Sequence, residues 1–220
     1  MGKALELLQE IIQLKNAPGH HDQKEHDPHK GTATSVEDVK KALLDAGVSL
    51  DNVPETTWQF VSGISNEAPN TSPNWKDARN GNDIKAFADP DTGIIHLNPS
   101  KDVDGRTIVH EIGHLVTWRG ELGTKSSKAI TQGYEKFIKE YEKEPSRYWA
   151  DKNARDKYGL DGWTAHRNPS EFATEIYTVA VTGGKYANRD LAKLLGVPSV
   201  PDMFKDSKPS KGYYGQTLRQ

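Results

Sequence analysis

The pattern of apolar and polar positions along the chain predicts several amphipathic helices and a small set of strands. In each helical stretch, apolar residues recur three or four positions apart, which places them on one face of a helix. The stretch DIKAFADPDTGIIHLNP instead favours two short strands joined by a turn at residues 89–93, and TTWQFVSGI is a third strand candidate. The predicted helices cover residues 4–15, 34–46, 102–119, 127–141 and 168–182. This order predicts an α+β fold that is mostly helical with a small sheet.

A change in composition divides the chain into three predicted parts. Residues 16–33 are polar and rich in histidine, proline and glycine, which is typical of a linker. Thr34 and Glu37 have the spacing of a capping box, so a folded domain is expected to begin there. We therefore predict an N-terminal helix with a flexible linker over 1–33, one domain over 34–198, and a loose tail over 199–220.

Composition limits the classes of partner and site that the chain can have. The formal net charge is −2, with 29 basic and 31 acidic residues, so neither nucleic acid nor a membrane surface is an expected partner. Cysteine is absent, which excludes disulfides and leaves histidine and carboxylate as metal ligands. No apolar run reaches membrane-spanning length, and acidic residues interrupt the N-terminal apolar stretch, so no secretory signal is expected. These features favour a cytoplasmic or virion-associated protein.

The stretch TIVHEIGHLVTW carries the strongest chemical signal in the chain. His110 and His114 lie four residues apart, so on a helix they project from one face at a separation that a metal ion can bridge. Glu111 lies beside that face and can take a proton from a water on the metal, while Gly113 removes bulk next to it. The alternative is an amphipathic helix with two unrelated imidazoles, but the apolar flanks and the preceding strand favour a metal site.

A catalytic zinc ion needs a third protein ligand, and the stretch NPSEFATEIYT supplies a candidate. Glu171 and Glu175 lie four residues apart on one face of an otherwise apolar helix, where two carboxylates repel each other unless a cation is near. Glu171 as the ligand and Glu175 as the acceptor from a ligand imidazole would resolve this repulsion. Glu171 also stands three residues after Asn168, so a capping-box glutamate is the alternative role.

Together the two motifs resemble the gluzincin branch of zinc metallopeptidases, and most of all the catalytic domain of the anthrax lethal factor type. The resemblance covers residues 90–182 and implies a zincin-like fold in which His110, His114 and Glu171 bind Zn²⁺. It also implies that Glu111 is the general base and that Glu175 orients an imidazole.

Further expectations rest on the same resemblance. In the family, an edge strand before the zinc helix pairs with the substrate backbone, which implies a substrate-binding role for Ile94, Ile95 and His96. His96 itself is expected to be an ordinary strand histidine rather than a fourth metal ligand. The family's oxyanion-stabilising tyrosine is missing, because the corresponding neighbourhood is GWTAHR. The candidates to replace it are His166, Tyr158 and Tyr177.

The sequence therefore predicts a zinc-dependent metallopeptidase, a hydrolase that cleaves peptide bonds through a zinc-bound water activated by Glu111. A non-enzymatic structural or adaptor protein with a zincin fold is the alternative, although only the enzyme needs Glu111. Hydrolysis of a non-peptide bond is a third interpretation. The histidine-rich segment is similar to linkers of phage head-associated proteins and fits no defined metal site. The expected partners are a protein or peptide substrate and, through the N-terminal helix, a phage or other large assembly.

Overall fold

A computed structural model of the chain describes residues 34–77, 81–121, 124–183 and 189–209. These residues form the predicted mixture of helices and a small sheet, and helices predominate. The predicted N-terminal helix, the histidine-rich linker and residues 210–220 lie outside the described part of the chain. No helix in the described ranges combines the length and the apolar character needed to cross a membrane.

The helices and strands follow one another along the chain without a repeating order. The α-helices are α1 (Val36–Asp45), α2 (Gly105–Arg119), α3 (Thr124–Tyr141), α4 (Arg147–Tyr158), α5 (Gly162–Ala165), α6 (Pro169–Thr182), α7 (Arg189–Leu195) and α8 (Asp202–Lys205). The strands are β1 (Gly63–Ser65), β2 (Ala86–Asp89), β3 (Ile94–Leu97), β4 (Gly120–Glu121) and β5 (Lys208–Pro209). Short 3₁₀ helices occupy Leu50–Asn52, Glu55–Gln59 and Pro73–Trp75.

These elements belong to two compact units. The first unit combines the described residues up to Leu50 with Ser62–Ile108, and the second combines Asp51–Val61 with the described residues from Val109 onward. The division does not follow the predicted boundaries after residues 33 and 198. One folded domain between those boundaries stays a prediction.

The sheet of the first unit has three strands in the order β1-β3-β2. β3 runs antiparallel to β2 with Ile94 opposite Asp89, which confirms the predicted hairpin. In the turn, the Gly93 N–H donates to the Asp89 carbonyl at 2.8 Å, and Gly93 has a φ of 74°, which glycine adopts without a steric penalty. α1 packs against β1 and completes the core of this unit.

β3 is the central strand of this sheet, so the prediction of an edge strand before the HExxH helix is wrong. β1 pairs with β3 in parallel over residues 94–96, and β2 pairs with its other side over residues 94–97. Because both sides of its backbone are paired, β3 cannot accept a substrate strand without losing a neighbour. The predicted substrate-binding role of Ile94, Ile95 and His96 therefore loses its basis. His96 donates from Nδ1 to the Glu67 carbonyl at 2.8 Å, which is a structural contact.

The start of α1 lies one residue later than the predicted capping box. Ser35 is the residue before the helix, and its N–H donates to the Asp38 carboxylate at 2.9 Å. Thr34 is extended instead, and it exchanges two backbone hydrogen bonds with Ile64, at 2.8 and 3.2 Å. This pairing with the sheet explains why Thr34 and Glu37 do not form the cap.

Only the end of the stretch TTWQFVSGI forms the predicted strand. Residues Glu55–Gln59 form a 3₁₀ helix that follows Pro54, whose φ of −56° suits the entry to a helical turn. The Thr57 N–H donates to the Pro54 carbonyl at 2.8 Å and begins this helix. The strand is therefore confined to Gly63–Ser65.

Helices form most of the second unit. α6 provides much of its core, since the residues from Phe172 to Val181 are all buried. α3 and α5 pack against α6. Phe137 of α3 is buried with its ring 5.3 Å from that of Phe172. A helix buried on nearly all sides is a rigid support for the residues at its N-terminal end.

α4 occupies a stretch in which the sequence predicts no regular structure. Its buried residues are Ala150, Ala154 and Tyr158, spaced four apart on one face. Two of these are alanines, which bury little apolar surface, so the periodic signal is weak within a strongly polar sequence. Gly159, with a φ of 73°, ends the helix in the left-handed conformation.

Residues 199–209 are packed, although the sequence predicts them as part of a loose tail. Val200 and Phe204 are buried. The Phe204 carbonyl accepts a hydrogen bond from Thr56 Oγ1 at 3.2 Å, and the Ser207 carbonyl accepts one from Gln59 Nε2 at 2.7 Å. The segment is therefore ordered despite its low apolar content, because two buried side chains and hydrogen bonds to its backbone carbonyls hold it in place.

Candidate metal centre

Helices α2 and α6 bring three potential metal ligands together in the second unit. Glu171 Oε2 lies 3.3 Å from His110 Nε2 and 3.4 Å from His114 Nε2. One donor atom from each of the three residues can be chosen so that all lie within 4.8 Å of one another, close enough to share one ion. The structure thus brings together the three ligands that the sequence predicts.

α2 is shaped to approach α6 closely. Asp104 caps the helix by accepting the Thr107 N–H at 2.7 Å, which supports the predicted start of this element. A Cβ atom at Gly113 would lie 3.0 Å from the Thr174 methyl group and 3.2 Å from the Tyr177 ring, both on α6. The absent side chain at Gly113 therefore makes room for the second helix rather than for the metal, and this explains a glycine within a helix despite its poor propensity.

The two roles predicted for Glu171 turn out to be compatible. Asn168 caps α6, and its side-chain oxygen accepts the Glu171 N–H at 2.9 Å. Pro169 follows at the first helical position. The cap uses the backbone of Glu171, so its carboxylate is free to point at the imidazoles of His110 and His114.

A second layer of polar groups orients both imidazoles. His110 Nδ1 donates to Glu175 Oε1 at 2.9 Å, and the backbone N–H of Asp161 donates to Glu175 Oε2 at 2.8 Å. His114 Nδ1 and the Thr174 hydroxyl form a hydrogen bond of 3.0 Å. Because both Nδ1 atoms are engaged, the Nε2 atoms face Glu171. The sequence predicts Glu175 in this role but misses Thr174 and Asp161. Thr174 follows Glu171 by three positions on the same helix, a spacing that could have indicated it.

Negative charge is concentrated at this cluster. Burial opposes protonation of His110, but the carboxylates of Glu171, Glu175 and Glu111 outweigh it and raise the pKa of His110 to about 10. Burial also acts to raise the pKa of Glu171, but hydrogen bonds from His110 and His114 hold it well below its usual range. The cluster therefore favours a cation, either a proton on an imidazole or a metal ion in its place.

Glu111 is a buried residue whose carboxylate has no hydrogen-bond or ion-pair partner among the described residues. Its exposed fraction is 8%. It lies close enough to His110 for its charge to raise that pKa. Its oxygens are not fully buried atoms, so the carboxylate keeps contact with solvent and is available to a molecule bound at the cluster.

The three candidates for oxyanion stabilisation differ in their accessibility. Tyr158 is buried and donates its hydroxyl to Glu140 at 2.6 Å, while the fully buried Tyr177 shares a hydrogen bond of 2.9 Å with Thr57. These two tyrosines are core residues, so the prediction that either meets a substrate is wrong. His166 is half-buried and donates from Nδ1 to the Trp163 carbonyl at 2.7 Å. Its catalytic role stays a prediction.

Trp118 is a residue of this centre that the sequence does not single out. It lies one turn after His114 on α2, with the two rings 5.1 Å apart and tilted by 33°. Its side chain is 43% exposed, whereas the other large apolar residues of α2 are buried. The four-residue spacing from His114 is visible in the sequence, but the exposure is not.

Neither the family models, nor the curated proteins, nor the solved structures to which the chain was compared include a match. The resemblance to gluzincins thus rests on the two motifs, and the zincin-like fold stays a prediction. Function has to be inferred from the residues of the metal centre and their geometry.

Proposed function

We propose that this chain is a zinc-dependent metallopeptidase that hydrolyses peptide bonds with Glu111 as the general base. The observation that supports it most is the convergence of His110, His114 and Glu171 beside the buried, unengaged carboxylate of Glu111. A site that only binds a metal for stability needs the first three residues. A hydrolytic site also needs a base in this position.

Zinc suits this set of donors. Two imidazole nitrogens and one carboxylate oxygen are the protein ligands of several catalytic zinc sites, which keep a further position open. His110 and His114 would each offer Nε2, since Nδ1 of each ring is hydrogen-bonded within the protein. Glu171 would offer its carboxylate. When bound, zinc supplies Lewis-acid chemistry, which makes water acidic near neutral pH and polarises a carbonyl group.

The residues around the donors have separate tasks in this proposal. Glu111 accepts a proton from the attacking water and later donates it to the leaving amine. Glu175 and Thr174 hold the imidazoles in one tautomer and orientation. His166 is the remaining candidate to donate a hydrogen bond to the developing oxyanion.

A non-enzymatic adaptor that uses the metal to stabilise its fold is the competing proposal. It accounts for His110, His114, Glu171 and their second layer equally well. It gives no reason for Glu111 to be buried beside the ligands without a hydrogen-bond partner in the described residues. No oxygen of Glu111 is a fully buried atom without a partner, so the carboxylate keeps contact with solvent and can act on a molecule bound beside the ligands, which favours the enzyme.

The decisive experiment combines metal analysis with a cleavage assay on the full chain. Elemental analysis for zinc, iron and manganese identifies the metal, because the same donors also suit Fe(II). A proteome-derived peptide library is then digested with and without a chelator. We expect stoichiometric zinc and chelator-sensitive cleavage, and the variant Glu111→Gln should keep its zinc but lose activity by about 10²- to 10⁴-fold. Zinc without cleavage would favour the adaptor, and an active Glu111→Gln variant would remove Glu111 from the mechanism.

A further inference from the structure

The exposed indole of Trp118 is unusual for its place on α2. Val109, Ile112, Leu115 and Val116 on the same helix are buried, as expected of a core element. Trp118 instead exposes 43% of its surface although it is the largest apolar residue of the helix. Leaving such a side chain in water forgoes the free energy that its burial would provide.

Trp118 also lies on the side of α2 that carries the metal ligands. His110, His114 and Trp118 follow one another at four-residue spacing, so they form one stripe along the helix. The rings of His110 and His114 are 4.8 Å apart, and those of His114 and Trp118 are 5.1 Å apart. The stripe thus runs from the metal centre directly to an exposed aromatic surface.

We infer that Trp118 is a specificity-determining residue, which forms an apolar wall beside the metal centre and contacts a substrate side chain next to the bond that is cleaved. The expected substrates are peptides with an aromatic or large apolar side chain at that position. This inference rests on the proposed function, because the substrate is taken to be a peptide bound at the metal. An aromatic side chain gains both buried area and ring-to-ring contact against an indole.

The test uses two small hydroxamates, which anchor themselves on a bound zinc ion. Acetohydroxamic acid has no side chain, and 2-phenylacetohydroxamic acid adds one aromatic ring. Binding of both to the zinc-loaded full chain is measured by calorimetry, so the readout does not depend on catalysis. We expect the phenyl compound to bind about three- to tenfold more tightly, which is the range of one aromatic pair.

The variant Trp118→Ala should abolish this preference and leave the affinity for acetohydroxamic acid unchanged. Trp118→Phe should keep part of it. Trp149→Ala is the matched control, because Trp149 is similarly exposed, at 50%, but lies on α4 and belongs to neither ligand helix. Its removal should leave the preference intact.

Three outcomes would overturn the inference. The first is equal binding of the two hydroxamates by the unmodified chain, and the second is a preference that survives in Trp118→Ala. The third is a loss of zinc affinity in Trp118→Ala together with weaker binding of both compounds, since Trp118 would then only position His114. A Trp118-dependent preference in a chain that cleaves no peptide would support the aromatic subsite and contradict the proposed peptidase.

Discussion

Two polar clusters in the second unit contain similar residue types but balance their charges in opposite ways. At the metal centre, the carboxylates of Glu171 and Glu175 face imidazoles, and Glu111 is buried beside them without a partner in the described residues. In the second group, which we call the Tyr158 cluster, Glu140 accepts hydrogen bonds from Tyr158 at 2.6 Å and Lys157 at 2.9 Å. In that cluster the donors to the carboxylate are a hydroxyl and an ammonium group of neighbouring side chains.

The rest of the Tyr158 cluster follows the same rule. Asp151 accepts the Tyr141 hydroxyl at 2.6 Å and lies 3.5 Å from the Arg147 guanidinium. Burial acts to raise the pKa of Glu140, but its donors outweigh burial and lower it. The comparison indicates that titratable residues alone do not mark a binding site. What distinguishes the metal centre is that the Nε2 atoms of two imidazoles converge on one carboxylate, that of Glu171, in a donor set that a single metal ion can share.

The largest expected difference between the clusters is in the pH dependence of the metal-free chain. The pKa of His110 is raised to about 10 from an ordinary 6.5, so its proton stabilises the folded state fully below pH 6.5. That contribution is lost as pH rises towards 10. With chelator present, the free energy of unfolding should fall by up to about 1.4 kcal/mol per pH unit in this window, measured by urea unfolding.

The Tyr158 cluster should contribute to this slope only near its upper end, where the tyrosines of the unfolded chain begin to titrate. The pKa of Glu140 is lowered, and those of Tyr141, Tyr158 and Lys157 are raised, so these groups keep one protonation state through the window. Glu175→Gln removes a partner of His110 and should flatten the slope. Zinc affinity should rise with pH over the same range, because the metal competes with the proton. A metal-free stability that is independent of pH would contradict the charge balance described above.

One glutamate-to-glutamine substitution in each cluster tests whether zinc affinity depends on the metal centre alone. Glu171→Gln removes the charge of a proposed ligand, and zinc affinity should fall by more than about 100-fold, since a ligand should matter more than the groups that orient it. Glu140→Gln makes the same chemical change in the Tyr158 cluster and should leave zinc affinity unchanged. Competition with a fluorescent chelator measures both. Equal effects of the two variants would remove Glu171 from the ligand set.

Substitution of Thr174 should lower zinc affinity less than substitution of Glu171, because Thr174 only orients a ligand. Thr174→Val keeps the shape of this fully buried residue but removes the hydroxyl that orients His114, so zinc affinity should fall by about 10- to 100-fold. Thr174→Ser keeps the hydroxyl and should bind zinc almost as the unmodified chain does. The same competition assay measures the zinc affinity of both variants. Equal affinities of the valine and serine variants would reduce Thr174 to a packing residue.

The three candidate metal ligands could be predicted from sequence because each belongs to a local helical pattern, although the convergence of the two helices could not. His110 and His114 share a helix face by spacing alone, and Glu171 follows a helix start marked by Asn168 and Pro169. The position of β3 could not be predicted in the same way. Its partner β1 lies about 30 residues earlier, and no periodicity shows that this distant segment covers one side of β3.

Other features were missed because their signals are weak or absent. The buried stripe of α4 depends on alanines, and the order of residues 199–209 depends mainly on Val200 and Phe204. The oxyanion-stabilising role predicted for Tyr158 was wrong for a different reason. The resemblance implies an oxyanion-stabilising hydroxyl near residue 166, but the residue type does not show in which direction a tyrosine side chain points. In the structure, the hydroxyl of Tyr158 donates to Glu140, whose side chain is 40% exposed.

Tyr158→Phe has the smallest expected effect, and it should change stability without changing zinc affinity or cleavage. The substitution keeps the buried ring and removes the hydroxyl bond to Glu140, which retains Lys157 as a donor. The free energy of unfolding should fall by about 1 kcal/mol, the usual contribution of one such hydrogen bond. Zinc affinity and peptide cleavage should stay at the level of the unmodified chain, with His166→Ala measured beside it as the remaining oxyanion candidate. A large loss of turnover in Tyr158→Phe at unchanged stability would instead mean that this phenol reaches the substrate, and that the Tyr158 cluster is not separate from the metal centre.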